Sequence, residues 1–258
     1  MKVDFSVTGK VAIVTGGSKG IGKAIAVTLA EHGADIAIAA RGREALDKAR
    51  AEIEATGRRC IALVADMASE TDWKRLVDET VTTFGGVDIL VNNAATASAY
   101  GPIARTSSAD WDLVMKVNIK APFVLSSLCM PSMKSRGGGS VIHITSNEGI
   151  RPSFGIGAYS VSKGALITLA QVCAKEWARH KIRVNCIAPG LVRTEMADGL
   201  VKMVEKSGRY PNPMRRVAEP EEIAGLALYL ASTAGSYATG QTFVADGGEL
   251  ILAPTDQS

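Results

Sequence analysis

Short apolar runs alternate with amphipathic stretches from one end of the chain to the other. The runs fall at 11–15, 35–40, 60–65, 87–91, 140–145, 183–188 and 242–245. Most are continuous in Val, Ile and Ala rather than strictly alternating, the pattern of strands covered on both faces. Helical or loop sequence follows each of the first six, which predicts a parallel sheet with helices on either side. Helices are expected at 21–32, closed by Gly33; at 43–56, closed by Gly57; and at 71–84, preceded by Ser69 and closed by Gly85-Gly86. Ser107 or Ser108 can cap another, through Trp111 and Asn118 to about Lys134, with Pro122 and Pro131 disturbing it. Pro220 suits the first turn of a helix over 221–230. The segment 158–179 is small and apolar nearly all round, so it predicts a helix buried in the fold or against another subunit. No repeat, low-complexity tract or linker interrupts the series. The expectation is one α/β domain over 1–258, a doubly wound sheet of about seven parallel strands.

Composition narrows the function classes. Hydrophobic residues make up 47% and charged residues 21%, an ordinary globular balance. A net charge of +3 with dispersed basic residues gives no footprint for nucleic acid. The start, M-K-V-D-F-S-V-T-G-K, has no apolar signal core, and no stretch approaches the roughly 18 apolar residues of a membrane span. A soluble cytoplasmic protein is the expectation. Cys60, Cys129, Cys173 and Cys186 form no C-x-x-C and are expected as reduced, packed thiols. His32, His143 and His180 form no ligand set, so no metal is expected, and His143 reads as a sheet residue.

The stretch from Ser146 to Lys163, S-N-E-G-I-R-P-S-F-G-I-G-A-Y-S-V-S-K, carries the candidate chemistry. Tyr159 and Lys163 lie four apart, one above the other on a helix face. A free phenol titrates near ~10, and a neighbouring ammonium favours its anion. Bringing such a phenol to about 7 takes roughly 4 kcal/mol of differential stabilisation. Ser146 closes an apolar strand just before a loop marked by Gly149, Pro152, Gly155 and Gly157. Its hydroxyl can hold a substrate oxygen beside the phenol, leaving a carbonyl ready for a hydride. With 5 Tyr in 258 residues the pair alone is a weak signal, and context gives it weight.

Between the first strand and first helix stands Thr15-Gly16-Gly17-Ser18-Lys19-Gly20-Ile21-Gly22. Such a loop lets the backbone approach a phosphate at a helix N-terminus. Gly16 through Gly20 is formally G-x-S-x-G, but no histidine stands where a hydrolytic triad needs one. Gly17 through Lys23 nearly forms a P-loop, but Ala24 lacks the hydroxyl that holds magnesium. The remaining reading is a dinucleotide loop, with glycine spacing that departs from G-x-G-x-x-G.

Taken in order, Thr15-Gly-x-x-x-Gly-x-Gly, Asn92-Asn93-Ala94, Asn118, Ser146, Tyr159-x-x-x-Lys163 and Pro189-Gly190 resemble the short-chain dehydrogenase/reductase family. In general look the chain is similar to 3-oxoacyl-carrier-protein reductases, from about Gly9 to Gly248. The resemblance implies Tyr159 as acid/base, Lys163 acting on its pKa and on the nicotinamide ribose, Ser146 orienting the substrate oxygen, and Asn118 holding a relay water. It implies a cofactor set of Gly16, Ser18, Lys19, Gly20, Ile21, Gly22, Arg41, Asp66, Met67, Asn93, Ala94, Tyr159, Lys163, Pro189, Gly190, Val192 and Thr194. Asp66 would meet adenine, with Asn92 beside the cofactor and Ile187 at the nicotinamide. Ala95 departs from the glycine of many relatives. A homotetramer is implied as well, through pairing of helix 158–179.

The activity expected is transfer of a hydride between NADP(H) and a ketone or secondary alcohol, without metal. NADP(H) is expected because Ala40 stands where NAD enzymes place a carboxylate, and Arg41 follows, with Arg43 and Lys19 nearby. An epimerase or dehydratase on the same fold, and a dinucleotide-sensing regulator without catalysis, remain alternatives. The expected pocket wall is 150–154, Tyr100 and Leu191-Val192, under a lid at about 193–216. Arg151 and Arg209 are candidate partners for a carboxylate or phosphate, or solvated surface residues.

Overall fold

The computed structural model describes residues 3–97 and 101–251. Its strands are β1 (Val11–Thr15), β2 (Asp35–Ala40), β3 (Cys60–Val64), β4 (Ile89–Asn92), β5 (Gly139–Ile144), β6 (Ile182–Pro189) and β7 (Thr242–Ala245). They form one parallel sheet in the order β3-β2-β1-β4-β5-β6-β7. The helices are α1 (Gly20–Glu31), α2 (Arg43–Glu54), α3 (Glu70–Phe84), α4 (Ser108–Met115), α5 (Ala121–Ser135), α6 (Gly157–Trp177), α7 (Asp198–Ser207) and α8 (Pro220–Ala231).

The continuous apolar strands are explained by two cores. Ala12, Val14, Ile36 and Ile38 face α1, α2 and α8, while Ile13, Ala37 and Ala39 face α3, α5 and α6. Burying a large aliphatic side chain fully is worth about 1.5–3 kcal/mol, so neither face of a central strand tolerates a polar residue cheaply. Local signals start and stop the helices as expected. The Ser69 side chain accepts from the Asp72 amide to cap α3, and Gly85 closes that helix in the left-handed region.

Two segments depart most from the sequence expectation. β4 begins at Ile89 rather than residue 87, because the Val87 amide donates to Ser132 Oγ and the Asp88 carboxylate takes the Val11 amide and Arg136. It also runs on to Asn92, whose polar side chain is buried. The α4–α5 run is continuous despite its prolines. A π-helical turn at Lys116–Lys120 absorbs the mismatch, and Pro122 then sits in the first turn of α5, where its missing N–H is tolerated. Contrary to the sequence expectation, this Ser108–Ser135 run is long and apolar enough to cross a membrane by length and composition alone. Core helices of globular domains meet the same test, and here α5 packs against α3 and the sheet.

The chain winds from β1 outward to β3, then crosses back to β4 and winds the other way. Beyond the carboxyl ends of β1 and β4 the loops part, and a crevice opens where ligands bind in such sheets.

Candidate active site

Four of the sequence candidates converge at this edge. Ser146 follows β5, and Tyr159 and Lys163 occupy the first turns of α6. The buried Lys163 ammonium donates to the Ile144 carbonyl at 2.8 Å and lies 5.4 Å from the Tyr159 ring centroid. Burial pulls the Lys163 pKa down to about 8, so the side chain still carries its charge at neutral pH. Tyr159 is half-buried. What presses the Ser146 loop onto α6 is a close approach invisible in the motif. A Cβ on Gly149 would lie 2.7 Å from the Lys163 carbonyl carbon and 2.8 Å from the Gly164 nitrogen.

Asn118 sits inside the π-helical turn. Its amide is fully engaged: Oδ1 accepts from the Thr96 amide at 2.9 Å, and Nδ2 donates to the Thr96 carbonyl and to Ser162 Oγ. Ser162 in turn donates to the Tyr159 carbonyl at 2.6 Å. The side chain is therefore a brace between α4–α5 and the start of α6. Pro122, four residues on, has no N–H to give the Asn118 carbonyl.

The glycine loop turns into α1 with its N-terminus open. No side chain caps it and its first turn holds no acidic residue. Free amides and a positive dipole end suit a phosphate. Gly22 is demanded by packing: a Cβ there would lie 2.3 Å from the Gly16 carbonyl oxygen and 2.4 Å from Asn93 Nδ2. Asn93 holds the loop from β4, donating from Nδ2 to the Thr15 and Gly16 carbonyls, while the Asn93 and Ala94 amides donate to Thr15 Oγ1. Asn92 points elsewhere, toward Ser126 and His143 on the α5 side of the sheet. Asp66 turns back on its own loop to accept from the Ala68 amide, and buried Met67 gives its carbonyl to Trp73. Ala40 ends β2, and Arg41 stands exposed just past it.

Lys19 does not stand free as the sequence suggested. Its ammonium pairs with Glu195 at 2.7 Å, bridging the glycine loop to the segment after β6. That segment is a short 3-10 turn and α7, with Thr194 capping the turn through its side chain. Arg193 ties it to α7 and to the start of α8 through Glu205 and Glu219. Val192 is buried and pairs with Ala218, and Gly190 packs against Asp246. A cavity of about 590 Å³ opens between Gly20 and this segment. Met196, Met203 and Met214 are exposed between β6 and α8, and Ile150 and Phe154 are exposed in the loop before α6. Arg151 donates to the main-chain carbonyls of Glu249 and Leu250. Tyr100 lies outside the described residues.

His143 is no proton-transfer group at neutral pH. Burial and the nearby Lys163 charge push it down to about 3, and its Nε2 has no partner among the described residues. The four cysteines are unpaired and buried, with the thiols pushed up to about 11 to 12 by burial. Among the described residues no group of three His, Cys, Asp or Glu is arranged to hold a metal ion.

A family model described as enoyl-(acyl carrier protein) reductase matches residues 16–249. Dehydrogenase/reductase SDR family member 4 of Homo sapiens is 40% identical over 241 residues, covering 93% of this chain and 87% of that protein. L-sorbose reductase from Gluconobacter frateurii, solved with NADPH and L-sorbose, is 34% identical with a TM-score of 0.92, covering 97% of this chain and 100% of that one. A 7α-hydroxysteroid dehydrogenase, solved with NADH and 7-oxo glycochenodeoxycholic acid, is 34% identical with a TM-score of 0.90, covering 95% of each chain.

Proposed function

The chain belongs to the short-chain dehydrogenase/reductase family, and from that membership we propose that it is an NADP(H)-dependent oxidoreductase of small-molecule ketones and secondary alcohols. The observation that carries this reading is the joining of Ser146, Tyr159, Lys163 and Asn118 at the carboxyl edge of the sheet. A nicotinamide bound there supplies or accepts the hydride. The open N-terminus of α1, with Gly20 and Gly22 at its start, fits the pyrophosphate of such a cofactor. Arg41 fits a 2′-phosphate, and no carboxylate at residue 40 opposes it. The Tyr159 hydroxyl gives a proton to the carbonyl oxygen during reduction and takes it back during oxidation. Ser146 holds the same oxygen, and the Lys163 charge supports the phenol oxygen when it becomes negative. The residues 193–216, with their exposed methionines, form one wall of the substrate pocket, and 150–154 with Leu191 form the other.

The purified chain, mixed with NADPH and a panel of acyl thioesters, keto-acids, ketoses, diketones and oxo-steroids, is expected to oxidise NADPH with at least one of them. NADPH binding without turnover on any ketone or on the matching alcohols with NADP would favour the regulator reading instead.

We also propose a homotetramer. Val161 and Val172 on α6 are exposed, with Trp111, Leu113 and Phe123 of α4 and α5 exposed alongside in the chain. An exposed apolar set of this kind marks a surface that another protein covers; two-fold pairing of α6 supplies one interface, and a second two-fold axis closes the four copies. Light scattering at micromolar concentration is expected to give four times the 27.0 kDa chain mass; a monomer would refute it.

A further inference from the structure

Ser146 stands at the start of the short 3-10 turn Asn147–Gly149 and caps that turn with its own side chain. Its Oγ accepts from the Glu148 amide at 3.2 Å. A hydroxyl has one hydrogen and two lone pairs, so this bond fixes a lone pair and leaves the hydrogen to be given. That hydrogen goes to Asn147 Oδ1 at 3.2 Å, a long contact that a substrate oxygen can displace.

Glu148 also reaches across the loop with its half-buried side chain. Its Oε2 accepts from the Ser153 amide at 2.7 Å, and its Oε1 accepts from the Ser153 hydroxyl at 2.7 Å. The Ser160 hydroxyl donates to Oε2 more loosely, at 3.4 Å. Ser160 is buried in the first turn of α6, next in sequence to Tyr159. Bonds to an ionised carboxylate are roughly twice as strong as neutral ones. Residues 150–155 form no helix or strand, so the carboxylate supplies a cross-link that the main chain there lacks. Gly149 presses the turn onto α6 at Lys163 and Gly164, one helical turn further along, and leaves the Tyr159 end to Glu148.

One residue thus touches both sides of the proposed reaction centre. Its main chain holds the Ser146 oxygen, and its side chain holds the helix turn that carries Tyr159. We propose that Glu148 is a positioning residue that sets the Ser146 hydroxyl at its working distance from the Tyr159 phenol. The proposal rests on Ser146 orienting the substrate oxygen and on Tyr159 exchanging a proton with it.

The test is kcat, KM and NADPH affinity, with a ketone that the wild type reduces, for Glu148→Ala, Glu148→Gln, Ser146→Ala and the Ser146→Ala/Glu148→Ala double variant. Glu148→Ala removes the three side-chain bonds and keeps the main-chain amide. It is expected to lose about 10–100-fold in kcat/KM, the scale of a misplacement of about 1 Å, with NADPH affinity unchanged. Glu148→Gln can still accept from the Ser153 amide and can donate to the Ser153 hydroxyl oxygen, so it is expected to recover most of that loss. The double variant is the decisive readout. With no hydroxyl left to place, Glu148→Ala is expected to cost about two-fold or less in the Ser146→Ala background. Costs that add in full, or a Glu148→Ala enzyme within about two-fold of wild type, would overturn the proposal. Should Glu148→Ala fail to fold, Glu148→Asp keeps the charge, shortens the reach by one methylene and takes its place in the cycle. Ser146→Ala separates the two levels. If it loses about 100-fold or more in kcat/KM while the Glu148 cost adds in full, Ser146 keeps its role and only the positioning by Glu148 fails. If Ser146→Ala keeps full activity, the assignment of Ser146 fails, and this proposal with it.

Discussion

Tyr159→Phe is expected to lower kcat by about 10²–10⁴-fold while leaving NADPH affinity almost intact. The substitution removes one oxygen and its proton and keeps the ring. The ring is the part that α6 packs: Tyr159 lies in the first turn of that helix, half-buried, with the Lys163 ammonium 5.4 Å from its centroid. Ser162 bonds to the Tyr159 main-chain carbonyl, not the phenol, so the brace through Asn118 survives the change. Lys163 keeps its bond to the Ile144 carbonyl, so the cation stays in place as well. What is lost is the proposed proton donor to a carbonyl oxygen held by Ser146. His143 cannot replace it, because it is buried in the sheet and uncharged at neutral pH. Steady-state turnover read from nicotinamide absorbance, with cofactor affinity from fluorescence titration, checks both halves. Retention of more than about a tenth of the wild-type kcat would be too much activity for a site that has lost its acid.

The elements that burial shapes were readable in the chain. β1, β2 and β7 were placed at their observed bounds, because each is a short apolar run between clear turn signals. β4 was misplaced for the same reason in reverse. Asn92 looked like the end of the strand, but its side chain is buried against Ser126 and His143. The prolines of the α4–α5 run marked a disturbance correctly, though not its form, since a π-helical turn leaves no period of its own in so few residues. Of the four proposed catalytic residues, Ser146, Tyr159 and Lys163 were picked out by type and spacing, and Asn118 only by the family resemblance. Their supports were not picked out at all. Gly149 against Gly164, Asn118 against Thr96, and Arg151 against Glu249 are contacts between distant segments, and no local pattern encodes which distant residue a loop will meet. Lys19 shows the limit most clearly. Its place in the glycine loop suggested a phosphate contact, and its actual partner, Glu195, lies 176 residues away.

That ion pair bears on the second large effect, the choice between NADPH and NADH. Wild type is expected to favour NADPH by about 10–100-fold in kcat/KM, and Ala40→Asp with Arg41→Ile is expected to reverse the preference. Ala40 closes β2, where its carbonyl accepts from the Ala65 amide. No carboxylate stands there to accept from a ribose 2′-hydroxyl or to repel a 2′-phosphate. Arg41 is exposed at the next position, and among the described residues no hydrogen bond or ion pair engages its side chain. A guanidinium in that state can offer its fork to a phosphate without first giving up a partner. Lys19 must exchange Glu195 for the phosphate, but both side chains of that pair are well exposed, and exposed pairs are worth only about 0–1 kcal/mol. A charge-assisted hydrogen bond contributes roughly 1.5–3 kcal/mol, so Arg41 alone accounts for the expected ratio. In the double variant the new carboxylate gains the 2′-hydroxyl of NADH and repels the phosphate of NADPH, while isoleucine removes the phosphate's partner. The measurement is kcat/KM for each cofactor at a fixed ketone concentration and moderate salt, since screening weakens exposed charges. Equal use of NADH and NADPH by the wild type would mean that neither Arg41 nor Lys19 holds a 2′-phosphate.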